Sequence, residues 1–322
     1  MSRRFIGVDL GGTNLRASVV DEEGKILSSA RMETKAQEGP PAVIARIVEV
    51  AKKAVSEAGM SMGDITACGI GSPGPLNART GILIFTSNLP GWDNTPLAPP
   101  VAEALGVPAY LENDANSAAW GEFWRGAGRG SSEMAIFTLG TGVGGSVIIN
   151  GRLHRGSDQM AGHVGHIILI PDGRPCGCGA VGCLEQYCSA TAVAREAREM
   201  TASGVDTGLG HLEPDQITAE AVAKAATEGS TYCRDLLART GRMLGTGMAS
   251  LVNVIDPQII VVYGGMAAAG DIILKPCRDE IRRQALRPAS DNVKVVQAEL
   301  GGDAGVIGAA GLALRRTDGE EA

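Results

Sequence analysis

The chain has no apolar run long enough to cross a membrane and no cluster of Lys and Arg. The first absence excludes a helical membrane anchor. The second argues against nucleic acid, because neutralising phosphates needs clustered cations. Here 29 Lys and Arg are outnumbered by 36 Asp and Glu, for a net charge of −7. The opening residues do not read as a secretory leader either. Met1-Ser2-Arg3-Arg4 is basic, but Phe5 to Leu10 is too short for a leader's apolar core and Asp9 interrupts it, so the chain reads as cytoplasmic. Aromatic side chains are scarce, at 3%. Glycine is plentiful: 45 residues, set among recurrent hydrophobic segments, point to tight turns and close backbone approaches rather than disorder. No low-complexity linker divides the 322 residues, which at 44% hydrophobic and 20% charged hold about two domains' worth of ordinary globular material.

Cys68, Cys188, Cys233 and Cys277 are dispersed and read as small core residues. Cys176, Cys178 and Cys183 are clustered, close behind Gly162-His163-Val164-Gly165-His166. The run Cys176-Gly177-Cys178-Gly179-Ala180-Val181-Gly182-Cys183-Leu184-Glu185 is laced with glycines that let the backbone wrap a small ion. One histidine with three cysteines is the donor set of a closed, structural Zn²⁺ site. Such cysteine use suits a reducing compartment better than a disulfide framework.

Phe5–Leu10 reads as a buried strand, Gly11-Gly12-Thr13-Asn14 as a turn, and Leu15–Val20 as the returning strand. Lys25–Ala30 follows as a third strand, and Pro40–Gly59 as an amphipathic helix with proline in its first turn and glycine at its end. Strands are expected at Ile65–Ile70 and Pro108–Leu111, then a helix to about Arg125. Met134–Leu139, Gly140-Thr141-Gly142-Val143-Gly144-Gly145 and Ser146–Asn150 repeat the opening pattern, which suggests two related domains. Helices are expected at Thr191–Ala202, Thr218–Glu228, Thr231–Asn253, Asp271–Leu286 and Asp303–Leu314, with strands at Gln258–Tyr263 and Val293–Ala298. Ala202–Gln216 reads as a mobile insertion and the charged tail after Arg315 as frayed.

A Gly/Thr turn between strands presents backbone N–H groups to phosphate oxygens, and Thr13 and Thr141 add hydroxyls. Either turn alone reads equally as a plain hairpin; the pair, each after an apolar strand, is the stronger signal. Asp9 ends the first strand beside one of them, where it would hold Mg²⁺ through water. No helix directly follows either turn, so neither matches the nucleotide-loop patterns that open a helix. Asp114, between a strand and a helix, is placed to take a proton from a hydroxyl. The same slot suits a helix N-cap. Asn113 can both donate to and accept from a polyol.

These segments, together with Asp9-Leu10-Gly11-Gly12-Thr13-Asn14, Glu112-Asn113-Asp114-Ala115-Asn116 and Val262-Tyr263-Gly264-Gly265, occur in an order that resembles the ROK family of repressors, uncharacterised reading frames and sugar kinases. The resemblance covers nearly the whole chain. It implies an α/β protein of two actin-like ATPase (ribonuclease H-like) domains with a cleft between them: 1–117 plus about 302–322, and 118–301 carrying the zinc site and an adenosine-binding motif. It implies an ATP-dependent kinase acting on the C6 hydroxyl of a hexose, with ATP, Mg²⁺ and structural Zn²⁺. Asp9, Gly11, Gly12, Thr13 and Asn14 would form one phosphate loop; Gly140, Thr141, Gly142 and Gly144 the other; Gly264 and Gly265 would meet the adenosine. Asp114 would be the general base. Ser72, Pro73, Asn88, Asn113, His163, His166 and Glu185 would line the sugar site, and His166, Cys176, Cys178 and Cys183 would hold zinc. Family analogy also suggests a homodimer or homotetramer.

Ser87-Asn88-Leu89-Pro90-Gly91-Trp92-Asp93 is most similar to the glucokinase branch, which makes glucose the first substrate expected. One residue departs: His163 stands where the family usually has glutamate. A histidine offers one acceptor at most, so hydroxyl recognition near carbons one and two is altered if it faces the sugar. That keeps an N-acetylhexosamine kinase or a fructokinase open. The family's repressors carry an N-terminal helix-turn-helix; with the first loop at residue 9, none is expected here, and a non-catalytic sugar sensor is the remaining distant alternative.

Overall fold

Uninterrupted apolar runs build the central strands, as burial on both faces requires. In the computed structural model, which describes residues 2–86 and 89–320, every residue of Ala67–Ser72 is buried and Arg4–Leu10 is buried from Phe5 to Val8. The chain divides into two compact units. The first comprises Met1–Gly130, Gly151–Ala161 and Glu299–Ala322; the second comprises Ser131–Asn150 and Gly162–Ala298.

In the first unit a mixed sheet runs in the order Ile26–Glu33, Asn14–Asp21, Arg4–Leu10, Ala67–Ser72, Ala109–Asn113. The first three strands are antiparallel and the last two join in parallel. Asp9 is paired with Gly71, Gly71 with Glu112 and Ser72 with Asn113, so the carboxyl ends of the parallel strands carry the residues singled out above. Helix Pro40–Glu57 buries Val43, Ile47, Val50, Ala51, Ala54 and Val55 against one side of the sheet.

Helix Ala304–Thr317 packs on Arg4–Leu10, on Ala67–Ser72 and on helix Asp114–Arg125. Glycines permit this docking. A Cβ at Gly7 would overlap the Val306 carbonyl, one at Gly69 the Ala309 carbonyl, and one at Gly308 the Ser117 carbonyl. The same contact keeps helix Asp114–Arg125 whole within the first unit, where a boundary at residue 117 would have cut it. A small antiparallel sheet of Leu76–Asn77, Ile82–Phe85 and Asp93–Pro96 and a helix at Ala98–Leu105 were not foreseen; the strands are only two to four residues long, too short for a period to register.

The second unit repeats the plan. Four strands lie in the order Val143–Ile149, Met134–Leu139, Ile259–Tyr263, Lys294–Gln297, the first pair antiparallel and the others parallel. Helices Thr231–Ile255 and Asp271–Gln284 pack closely, with Gly241 against the Ile273 carbonyl and Gly245 against the Cys277 carbonyl.

Two segments expected to be loose carry anchors of their own. Between Ala202 and Gln216, Thr207 is buried and its carbonyl accepts the Ser230 hydroxyl at 2.7 Å, while its own hydroxyl meets that of Thr201 at 2.7 Å. The C-terminal helix continues to Thr317, and the tail beyond is tied by Arg3–Asp318 and by Arg315–Glu320 at 3.1 Å. Among the described residues no helix is long and apolar enough to cross a membrane.

Candidate active site

The first glycine turn is shaped by what holds its carbonyls. Gly11 N–H closes the hairpin onto the Asn14 carbonyl at 2.9 Å. Thr34, fully buried, takes two more: its hydroxyl donates to the Gly11 carbonyl at 2.7 Å and its N–H to the Thr13 carbonyl at 2.9 Å. Because the C=O and N–H of a trans peptide point oppositely, tying back the Gly11 carbonyl turns the Gly12 N–H the other way. That is the donor a phosphate would meet.

Asp9 is half-buried at the end of the central strand, beside the first turn of helix Ala304–Thr317, where Gly305 leaves room for its carboxylate. Withdrawal from water holds the Asp9 pKa above the usual carboxylate range, with Arg16 opposing. Arg16 is itself fixed by Asp303 at 2.6 Å and the Gly302 carbonyl at 3.0 Å.

The slot at 113–114 is divided between two side chains. Asn113 is the N-cap: its side-chain oxygen accepts from Ala115 N–H at 2.9 Å and Asn116 N–H at 3.3 Å. Asp114, the first helical residue, shares the Ala115 N–H through one carboxylate oxygen at 2.8 Å, while Asn113 alone takes the Asn116 N–H. Its carboxylate reaches solvent, yet dense protein around it restricts the water that would stabilise its charge. This desolvation pushes its pKa up to about 6, aided by the negative charge of Asp9 and opposed by the Ala115 N–H. A carboxylate with that pKa is ionised at neutral pH and basic enough to accept a proton.

Glu112 supports this arrangement from below and was quoted in the motif without a role. It is 4% exposed. One oxygen accepts from Asn113 N–H at 3.0 Å and Asn116 Nδ2 at 2.9 Å; the other takes a two-pronged bond from Arg155, Nε at 2.9 Å and Nη2 at 2.6 Å. Nothing local in sequence marks Arg155 as the partner, since 43 residues separate the two. Ser72 is buried next to Asn113 across the sheet, and Pro73 is buried behind it. Asn88 lies outside the described residues.

The second unit holds a matching turn. Gly140 N–H bonds the Gly142 carbonyl at 3.0 Å, Ala190 N–H takes the Gly140 carbonyl at 2.8 Å, and the Thr191 hydroxyl takes the Thr141 carbonyl at 2.7 Å. The N–H groups of Thr141 and Gly142 therefore face away from those tethers. Gly144 lies on the returning strand opposite Thr138. Gly264 has φ +104°, and a Cβ there would overlap the Leu139 carbonyl, which sets the Gly264-Gly265 bend beside the turn. Glu185 ties the cysteine loop to the same place: one carboxylate oxygen accepts Val143 N–H at 2.9 Å, and Gly142 has no Cβ to obstruct it.

The donor atoms of His166, Cys176, Cys178 and Cys183 all lie within 4.8 Å of one another. Cys178 and Cys183 sulfurs are 3.7 Å apart, and Cys176 Sγ is 3.8 Å from His166 Nδ1. Tetrahedral Zn–S bonds of about 2.3 Å place two sulfurs roughly 3.8 Å apart, so donor type and spacing both fit Zn²⁺. The Ala180 N–H draws the Cys178 thiol towards thiolate, and Gln186 Nε2 donates to Cys176 Sγ at 3.6 Å. His163 precedes the short helical turn Val164–His166; its ring is exposed and lies 6.2 Å from that of His166. Desolvation and, after it, the neighbouring imidazole hold its pKa below the ordinary histidine value.

Known proteins resemble this chain over nearly its whole length. The ROK family profile matches residues 5–316. A glucokinase of Streptomyces coelicolor is 39% identical over 96% of this chain and 96% of its own. One from Thermotoga maritima is 36% identical over 98% of this chain and 99% of its own. Among solved structures, a glucokinase from Streptomyces griseus in complex with glucose and AMPPNP superposes with a TM-score of 0.81 at 38% identity, covering 97% of this chain and 99% of that one.

Proposed function

The chain belongs to the ROK family, and from that premise we propose that it is an ATP-dependent glucokinase, transferring the γ-phosphoryl group of ATP to the C6 hydroxyl of glucose. The observation that carries the mechanism is the place of Asp114: a carboxylate at the first helical position, behind an N-cap supplied by Asn113, in surroundings dense enough that desolvation, aided by the charge of Asp9, pushes its pKa up to about 6.

Asp114 accepts the proton of the sugar hydroxyl as that oxygen attacks phosphorus. Phosphoryl transfer asks the protein mainly for positioning and charge neutralisation. The Gly12 N–H, and those of Thr141 and Gly142, are the donors for phosphate oxygens, and Gly264-Gly265 meets the adenosine. Asp9 is the carboxylate that would hold hydrated Mg²⁺, which supplies charge neutralisation at the phosphates. Ser72, Asn113, His163, His166 and Glu185 orient the sugar.

His166, Cys176, Cys178 and Cys183 would hold Zn²⁺, whose contribution is structural. The loop it closes carries Glu185, which is bonded to Val143 in the second turn. Metal, sugar contacts and phosphate turn are thus one continuous arrangement in the second unit.

A second reading, an N-acetylhexosamine kinase, is favoured by His163 alone. Replacing Asp114 by Asn should lower kcat by about 10²–10⁴-fold, the usual worth of a general base, with little change in glucose affinity. Retention of near-normal turnover sinks the base assignment. Measuring kcat/KM for glucose, N-acetylglucosamine and N-acetylmannosamine, on wild type and on His163→Glu, separates the two readings: the first requires glucose to lead in the wild type.

A further inference from the structure

The first unit contains a cavity of about 530 Å³ lined by none of the carboxylate or glycine-turn residues. Arginine dominates its wall: Arg79, Arg152, Arg155 and Arg316, with Tyr110 and Gln159 between them. Among the described residues its one lining carboxylate, Glu320, is paired with Arg315 at 3.1 Å. Four guanidinium groups thus converge on one space in a protein whose net charge is −7.

Two of these groups are held in direction. Arg155 grips Glu112 through Nε and Nη2. Arg316 donates from Nη1 to the Ala78 carbonyl at 2.6 Å, and its guanidinium lies 5.7 Å from the Tyr110 ring centre. The other two, Arg79 and Arg152, are exposed, and among the described residues neither has an ion-pair partner. Arg155 is already neutralised by Glu112, so the exposed Arg79 and Arg152 are the charges left for an incoming anion to join. The planar guanidinium fork matches the oxygens of a phosphate dianion.

We propose that this cavity binds a small phosphate monoester, at a site separate from the one that turns over sugar and ATP. The volume is that of a small-ligand pocket. Among the described residues Tyr110 is the one aromatic side chain in the wall, and the Arg316 guanidinium lies 5.7 Å from its ring centre, so a nucleobase finds little surface to stack on. Arg155 links the cavity to the catalytic helix: its partner Glu112 holds Asn113 N–H and Asn116 Nδ2, and Asn113 caps the helix that begins at Asp114. An anion that draws on Arg155 weakens its hold on Glu112 and alters turnover.

The test is calorimetric titration of the full chain with 3-phosphoglycerate, with glucose and a non-hydrolysable ATP analogue saturating so that the other site is filled. Glycerate, which lacks the phosphate, is the control. Wild type should bind 3-phosphoglycerate and not glycerate. Arg79→Ala/Arg152→Ala should bind it at least about tenfold more weakly, as expected for lost charge-assisted hydrogen bonds, with basal turnover unchanged. No saturable binding by wild type up to roughly 10 mM, a range spanning even weak affinities, overturns the proposal, as does equal binding by the double variant. At saturating substrates the probe should change wild-type kcat and leave that of the double variant unmoved; binding with no change in wild-type kcat overturns the link through Arg155. Because binding is read without catalysis, this outcome is independent of which hexose the protein phosphorylates.

Discussion

At positions 113 and 114 two good capping residues compete for one helix terminus, and the outcome decides the chemistry. Asparagine caps; aspartate is left with a carboxylate that its surroundings would rather keep neutral. The slot itself was legible in sequence, because an apolar strand ends there and a helix begins. Which neighbour caps was not, since Asn and Asp cap equally well. The raised Asp114 pKa has a signed consequence. Only the ionised form can accept a proton, so kcat/KM should fall as pH drops through about 6 and level off above it; a profile flat from pH 5 to pH 8 would exclude Asp114 as the base. The same group has a cost for folding at neutral pH, where the ionised form is disfavoured relative to an unfolded carboxylate. Asp114→Asn should therefore unfold at a slightly higher temperature than wild type while losing turnover, a combination that a merely structural aspartate would not produce.

Among the elements, the glycine turns depend on side chains from elsewhere. Thr34 and Thr191 are not in either turn motif, yet each donates a 2.7 Å hydrogen bond to a turn carbonyl. Sequence spacing could reveal the turns but not their tethers, which arrive from another strand end and from a helix start. Thr191→Val should raise the KM for ATP about three- to tenfold, the worth of one hydrogen bond, with the glucose KM nearly unchanged. Equal effects on both substrates would show that the tether serves the whole unit rather than the turn.

Helix docking gives a second test at this scale. Gly308→Ala forces a methyl into the Ser117 carbonyl and should destabilise by about 1–3 kcal/mol or more, measured by urea unfolding. Long apolar runs and a 3.6-residue period made most strands and helices readable beforehand. The short strands between Leu76 and Pro96 escaped because they have no period, and the anchor at Thr207 escaped because it is a buried hydroxyl, not a hydrophobic stripe.

For the molecule as a whole, the cysteine loop was the most legible feature, since four donors within a short span constrain one another whatever surrounds them. The loop's tie to the second turn was not legible: only the fold brings Glu185 to the Val143 amide. Stripping the metal with a chelator, or replacing Cys178 by Ser, should lower the unfolding temperature and raise the glucose KM in step with zinc content. Restoration of both by added Zn²⁺ is the expected check; full activity in metal-free protein would refute a structural ion.

The chain contains the same clasp twice: an antiparallel hairpin, a glycine bend, and a threonine from a distant segment locking the bend's carbonyl. Glycines that seat one helix on another recur in both halves as well. Because each threonine locks only its own bend, the two bends can be loosened one at a time: Thr34→Val and Thr191→Val are separate lesions rather than one lesion repeated.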